Sequence, residues 1–362
     1  MNDRTAGPLT IDGRPIGADA EVYVIAELSA NHNQDFDHAV ELIRMAKQAG
    51  ADAVKLQTYT PDTLTIRSER ECFRIEGGTL WDGRTLYDLY ADAQMPWSWQ
   101  PRLKAVADEL GITCFSSAFD ATSVDFLEEM GMPAHKIASF ELVDLPLIER
   151  VARTGKPLLL STGMATLAEI EEAVQTARQA GATQIGLLKC TSAYPAPAEE
   201  MNLRTIPHLA EAFGVPVGLS DHTMGTAAAV AAVALGACLV EKHVCLSRDE
   251  GGPDSPFSAT PDELRRLIED VRNVRRAIGG VQYGTSPKEN ASRVFRRSLF
   301  VVADMEAGEP FGPKNVRSIR PGHGLPPKYL TEVLGRCAAA DITRGTPLTW
   351  RLVGEPQLSD ES

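Results

Sequence analysis

A chain of 362 residues with 43% hydrophobic and 23% charged side chains has room for two domains at roughly 150 residues each and is too apolar to be mainly disordered. Its 36 Lys and Arg against 49 Asp and Glu leave a net charge of −13, which argues against a general nucleic-acid or anionic-membrane binder but leaves room for a locally positive site for a small anion. No run reaches the roughly 18 apolar residues of a membrane helix and the N-terminus lacks the apolar core of a signal peptide. The six scattered cysteines form no C-x-x-C pair, so a cytoplasmic protein with reduced thiols is expected.

From about residue 20 to 280, short apolar runs alternate with amphipathic stretches. The runs are VYVIAE (22–27), AVKLQT (53–58), ITCFSS (112–117), HKIASFE (135–141), PLLLST (157–162), IGLLKCTS (185–192), VPVGLSD (215–221) and CLVEKH (238–243). Each is apolar throughout rather than alternating, as in a parallel strand buried on both faces. Asp37–Ala49 has i, i+3, i+4 apolar spacing and stops at Gly50. Thr166–Ala180 opens with the capping-box signature TLAE and stops at Gly181. Ala227–Leu235, nearly all small or apolar, is expected to be a buried helix. Eight strands with intervening helices over about 250 residues point to a (β/α)8 TIM barrel across 1–279. A doubly wound open sheet is the competitor, but it gives no reason for eight strands, and no G-x-G-x-x-G follows the first.

Two segments depart from the alternation. An insertion at about 60–98 carries Phe73, Trp81, Tyr87, Tyr90, Trp97 and Trp99. It reads either as a lid on the catalytic face or as a satellite cluster on the barrel rim. After 279, a polar linker (280–293) leads to strand-like pieces broken by Gly and Pro. They suggest a small turn-rich domain over 294–355 and a frayed tail at 356–362.

In such a barrel, chemistry sits where strands end and loops begin. Here the runs close on Glu27; Lys55 and Gln57; Ser116 and Ser117; Ser139 and Glu141; Ser161 and Thr162; Lys189, Thr191 and Ser192; Ser220, Asp221 and His222; and Glu241, Lys242 and His243. Lys55, Lys136, Lys189 and Lys242 lie in or beside strands, where an unpaired ammonium is costly to bury. A bound phosphate or carboxylate resolves that cost, with Ser117, Ser139, Ser161 and Ser220 as short donors. The plainer reading pairs each lysine with a nearby Glu such as Glu141 or Glu241. His222 and His243 end consecutive strands ~5 Å apart, so both imidazoles can reach one ion, with Glu27 as a candidate carboxylate neighbour. Two histidines alone leave open positions, as a catalytic metal site requires. His32, in the first loop, reads equally as a mouth residue or a loop-stabilising one.

IAELSANHNQ (25–34), HKIASFELVDLPLI (135–148), LLKCTSAYPAP (187–197), VGLSDHTMGT (217–226) and GGPDSPFS (251–258) resemble the sialic acid synthase family, and RRSLFVV (296–302) and SIRPGHGL (318–325) resemble its antifreeze-like (SAF) domain. Three features are similar to the branch that makes pseudaminic acid: LSANHNQ, GGTLWDGRTLYDLY (77–90), and ASFE where neuraminate synthases usually have GSGE. The resemblance implies a (β/α)8 barrel joined to a SAF domain in a domain-swapped homodimer. It implies a metal-dependent condensation of phosphoenolpyruvate with 2,4-diacetamido-2,4,6-trideoxy-L-altrose, giving pseudaminic acid and phosphate by C–O cleavage. Mn²⁺ is the expected ion, with Mg²⁺ or Co²⁺ as alternatives.

Carried over position by position, the resemblance gives Lys55, Ser117, Lys136, Ser139, Ser161, Lys189, Ser192 and Ser220 to the donor. Gln57, Glu141, Tyr194, Asp254 and Arg320 go to the acceptor, Arg320 across the dimer. His222 and His243 go to the metal, and Glu27 to the water that traps C2. The chain departs from the family at Ser117 and Ala118, which replace Thr and Pro, at Ser192, where many neuraminate synthases have Asn, and at Lys189, where some relatives have His. Other acceptors, as in N-acetylneuraminate or legionaminate synthases, are the first alternative. A Schiff-base barrel aldolase and a non-catalytic binding protein are the distant ones.

Overall fold

The computed structural model describes residues 9–356; the expected tail, from 357 onward, lies outside the described residues. Contacts divide the chain into two compact units between Gly279 and Gly280.

The first unit opens with a hairpin, β1 (Leu9–Ile11) and β2 (Arg14–Ile16). Its turn, Asp12-Gly13, has positive φ at both residues, 50° and 75°. That is the type I′ geometry matching the twist of the flanking strands. Eight parallel strands follow: β3 (Tyr23–Glu27), β4 (Ala53–Thr58), β5 (Thr113–Ala118), β6 (His135–Ile137), β7 (Leu158–Ser161), β8 (Ile185–Cys190), β9 (Val217–Asp221) and β10 (Leu239–His243). They close into a barrel in chain order, β10 pairing with β3. The fourth run is shorter than its apolar length suggests: β6 stops at Ile137 and Ser139–Glu141 turns into a 3-10 helix.

Helices cover the outside. Phe36–Ala49 is capped by Asp35, whose carboxylate accepts from the amides of Asp37 and His38, and ends at a left-handed Gly50. Leu167–Gln179 starts with a full Thr166/Glu169 capping box. Ala227–Ala234 departs from expectation. Only Ala229, Ala232 and Val233 are buried, so small side chains let one face sit close to its neighbours while the rest meets solvent.

Successive side chains on a strand point to opposite sides. One set, including Val24, Val54, Leu56, Ile137, Leu160, Leu187 and Val240, packs under the helices. The other turns inward. Its lower part is apolar: Tyr23, Ile25, Phe115, Leu159, Leu188 and Leu239 join Leu9, Ile11 and Ile16 of the hairpin, which plugs that end. A Cβ at inward Gly218 would collide with the Leu239 side chain, so the bare backbone makes room for it.

The second unit holds β11 (Ser298–Val301) paired antiparallel with β12 (Val316–Ile319), and β13 (Arg336–Ala338) with β14 (Val353–Pro356). Its own core is Leu299, Val301, Met305, Phe311, Val316, Val333, Ala338, Ile342 and Leu348.

Candidate active site

Above the apolar plug, the inward files turn polar and open into a cavity of about 390 Å³. At its floor, Lys55 Nζ lies 2.6 Å from Glu27 Oε2 and 3.6 Å from Glu241 Oε1, and donates to Ser117 Oγ at 2.9 Å. Gln57 Nε2 donates to Glu27 Oε1 at 2.9 Å and to Ser29 Oγ at 3.1 Å. Ser220 Oγ donates to Glu241 Oε1 at 3.2 Å, while Glu241 Oε2 is buried with no hydrogen-bond partner. Burial lifts Glu27 to about 7 against the pull of Lys55. A carboxyl poised there can both take and give a proton at neutral pH.

Lys136 is 1% exposed. Its ammonium donates to Ser161 Oγ at 2.6 Å and Ile137 O at 3.1 Å, and makes no ion pair among the described residues. Burial pushes its pKa down. An anion in the cavity would relieve that cost. The 3-10 turn after β6 aims Ser139 and Glu141 at the same space; Ser139 Oγ accepts from the Gly163 amide at 3.2 Å. Burial raises Glu141 to about 7, and its Oε2 is unpartnered.

His222 and His243 stand with ring centroids 5.3 Å apart. His222 Nδ1 pairs with Thr191 O at 2.9 Å; as the donor there it leaves Nε2 as the lone-pair nitrogen. His243 Nδ1 is buried without a hydrogen bond, 3.8 Å from Asp254 Oδ2, and burial followed by the charge of His222 holds its pKa well below the usual range. Ser29 in turn donates to Asp254. A neutral imidazole with an orphaned nitrogen beside a second imidazole fits a divalent ion with open positions. Among the described residues, no group of three or more His, Cys, Asp or Glu side chains is set to hold a metal ion. Tyr194 packs against His222 at 4.4 Å and against Phe257 at 5.1 Å.

Four expected site residues stand apart. Cys190 faces the cavity, so Lys189 before it faces out; its ammonium donates to Cys190 O at 2.9 Å and Thr191 Oγ1 at 2.7 Å. Lys242 faces out for the same reason and pairs with Asp221 at 2.9 Å. Ser192 does not line the cavity; its Oγ lies 3.8 Å from Cys190 Sγ. Arg320 is exposed just after β12, in the second unit. His32 is a loop residue: its Nδ1 accepts from the Gln34 amide at 3.1 Å and its ring meets Trp99 edge-on.

The cavity also exposes groups the sequence did not single out. Glu241, read there only as a counter-charge, is central. Cys190, expected only as one of six reduced thiols, lines the cavity with Tyr59 and Phe119. The insertion also lines the cavity; its signals were its aromatic content and the i, i+3, i+4, i+7 spacing of Leu86, Leu89, Tyr90 and Ala93.

A parallel eight-stranded barrel whose mouth gathers buried lysines, hydroxyls, carboxylates and two imidazoles is an anion-handling catalytic barrel. The chain belongs to the NeuB family, which matches residues 42–283, and residues 296–353 match the SAF domain. It is 44% identical over 330 residues to the pseudaminic acid synthase of Campylobacter jejuni, covering 91% of this chain and 96% of that one. It is 43% identical over 327 residues to the pseudaminic acid synthase of Helicobacter pylori, covering 90% and 96%. Among solved structures, the N-acetylneuraminic acid synthetase of Leptospira borgpetersenii superposes with a TM-score of 0.71 at 29% identity, covering 80% of this chain and 96% of that one.

Proposed function

We propose that the barrel carries out the pseudaminic acid synthase reaction: phosphoenolpyruvate, water and 2,4-diacetamido-2,4,6-trideoxy-L-altrose give pseudaminic acid and phosphate. The protein is a transferase that forms a C–C bond. The observation carrying this reading is the buried Lys55–Lys136 floor with its hydroxyls, set below two imidazoles in one cavity.

Lys136, Ser161 and Ser139 hold the donor's phosphate, and Lys55 and Ser117 its carboxylate, so C3 of the enol points up at the aldehyde carbon. Ser220 completes the floor, and Ser192 and Lys189 support the loop beside it. His222 and His243 hold a divalent ion, Mn²⁺ first, with Mg²⁺ or Co²⁺ as alternatives; when bound it lends Lewis acidity to the aldehyde oxygen. C3 bonds to that carbon, the oxygen takes up a proton, and C2 is left as an oxocarbenium ion. Glu27 takes a proton from the water that adds to C2. The resulting phosphate hemiketal then breaks its C2–O bond, releasing phosphate and leaving the ketone. Gln57, Tyr194 and Asp254 position the acceptor.

A homodimer that exchanges its small domains brings Arg320 of one protomer to the acceptor of the other. The apolar residues Phe140, Val143, Met164, Leu167 and Met224, exposed after β6, β7 and β9, support a covered mouth. Six free thiols agree with a cytoplasmic setting.

Phosphate release from phosphoenolpyruvate, measured across a panel of acceptors, tests the reading. Release dependent on the altrose derivative, lost with a chelator and restored by Mn²⁺, is the expected result. Faster turnover of N-acetylmannosamine or of the legionaminic acid precursor would move the assignment to that acceptor. Release without any amino sugar would overturn it.

A further inference from the structure

The cavity is two-sided. Its charged groups come from the barrel strands and from the segments after β6 and β10, whereas the part lined by the insertion is almost wholly aliphatic and aromatic: Leu64, Ile75, Trp81, Leu86, Leu89 and Tyr90. That wall is pinned. Trp81 Nε1 donates to Pro253 O at 3.2 Å, tying it to the loop after β10. Gln34 of the first loop donates to Asp92 O at 2.9 Å and Gln94 O at 2.6 Å, at the end of the helix Leu86–Ala93. Trp97 Nε1 donates to Tyr59 O at 3.0 Å. Thr85 caps the helix, accepting from the Asp88 amide at 3.1 Å.

An apolar wall is a poor surface for a phosphorylated carboxylate. With the donor on the lysine floor, the acceptor is the molecule left to face the wall. Glu141 marks where the two chemistries meet: it lines the same cavity as Tyr90 of the wall, and its unpartnered oxygen is buried.

We infer that the insertion wall, with Leu64, Ile75, Leu86 and Tyr90 at its centre, is a methyl-reading subsite that selects acceptors ending in a C-methyl group and carrying acetamido methyls over acceptors ending in hydroxymethyl. Glu141 Oε2 takes the acetamido N–H beside it. This inference rests on the condensation proposed above. A terminal hydroxyl pressed on the wall would lose its water with no partner, while a methyl loses nothing. Hydrophobic pockets discriminate such pairs by at most ~10²-fold.

The test compares two diacetamido acceptors that differ only in methyl against hydroxymethyl at C6, using the full-length enzyme. Wild type is expected to prefer the methyl acceptor by roughly tenfold or more in kcat/KM. Ile75→Ser and Leu86→Ser should raise the methyl acceptor's KM roughly tenfold and narrow the preference, while the KM for phosphoenolpyruvate stays put. Leu86→Met should restore wild-type values, which mere loosening of the insertion would not predict. Serine variants that keep the acceptor KM and the preference, or that raise both substrates' KM alike, overturn the subsite. A wild type that condenses no amino sugar sinks the earlier reading instead, so the two failures are told apart.

Discussion

The lower and upper halves of the barrel are built from the same eight strands and obey opposite rules. Below, the inward side chains Tyr23, Phe115, Leu159 and Leu239 meet the hairpin residues Leu9, Ile11 and Ile16 in a dry plug. Above, at the next inward positions along the barrel strands, the side chains are Glu27, Lys55, Lys136, Ser161 and Glu241. The lower half gains apolar burial. The upper half spends part of that gain on desolvated charges, which is where function sets its demands against stability.

Substituting once in each half breaks the comparison most directly. Phe115→Ala opens a hole in the plug and should cost about 3–5 kcal/mol in denaturant unfolding, with kcat little changed in whatever fraction remains folded. Lys136→Met should do the reverse. It removes an unpaired buried ammonium, so stability holds or rises, while kcat/KM for phosphoenolpyruvate falls by ~100-fold or more. Equal stability losses from both would mean that the upper layer is structural after all.

Glu141 gives a smaller, pH-dependent form of the same contrast. Its folded carboxyl keeps a proton to about 7, whereas the unfolded chain releases it near 4.5. The folded state therefore binds more protons between those values, and stability falls as pH rises through that window. Glu141→Gln carries no such proton. Its stability relative to wild type should climb between pH 4.5 and 7 and then level off, by up to about 3 kcal/mol. Unfolding midpoints of both proteins at pH 5 and pH 8 check this; a constant gap would show that the carboxyl is not desolvated.

How much of this was legible in the sequence follows from the same physics. The eight runs were, because strands buried on both faces are apolar throughout. That very property hides parity: where no face alternates, nothing says which of Ser116 or Ser117, or of Lys189 or Cys190, turns inward until the register is fixed. Ser116 turns out and meets Thr58 at 2.6 Å; Ser117 turns in. The hairpin's Asp-Gly turn between apolar residues is a strong short-range hairpin signal, but its strands are only three residues each, too short to show an alternation. The insertion's wall was out of reach. Leu86, Leu89, Tyr90 and Ala93 do follow helical spacing, but only tertiary contacts such as Trp81 with Pro253 place that face over the cavity.

Parity also yields the smallest effect, and the most discriminating one. Lys189 and Lys136 look alike in the sequence: both sit in apolar strands and both match donor positions. Lys189 faces away from the cavity, and its ammonium is satisfied by Cys190 O and Thr191 Oγ1. Lys189→Met keeps the aliphatic stem and loses two local hydrogen bonds, a cost of about 1–2 kcal/mol in stability. Steady-state kinetics should then leave kcat/KM for phosphoenolpyruvate within about threefold of wild type, since no charge leaves the donor's surroundings. A loss as large as that of Lys136→Met, without a matching drop in stability, would mean that Lys189 swings into the mouth when the donor binds. Strand parity would then no longer tell donor-binding lysines from supporting ones.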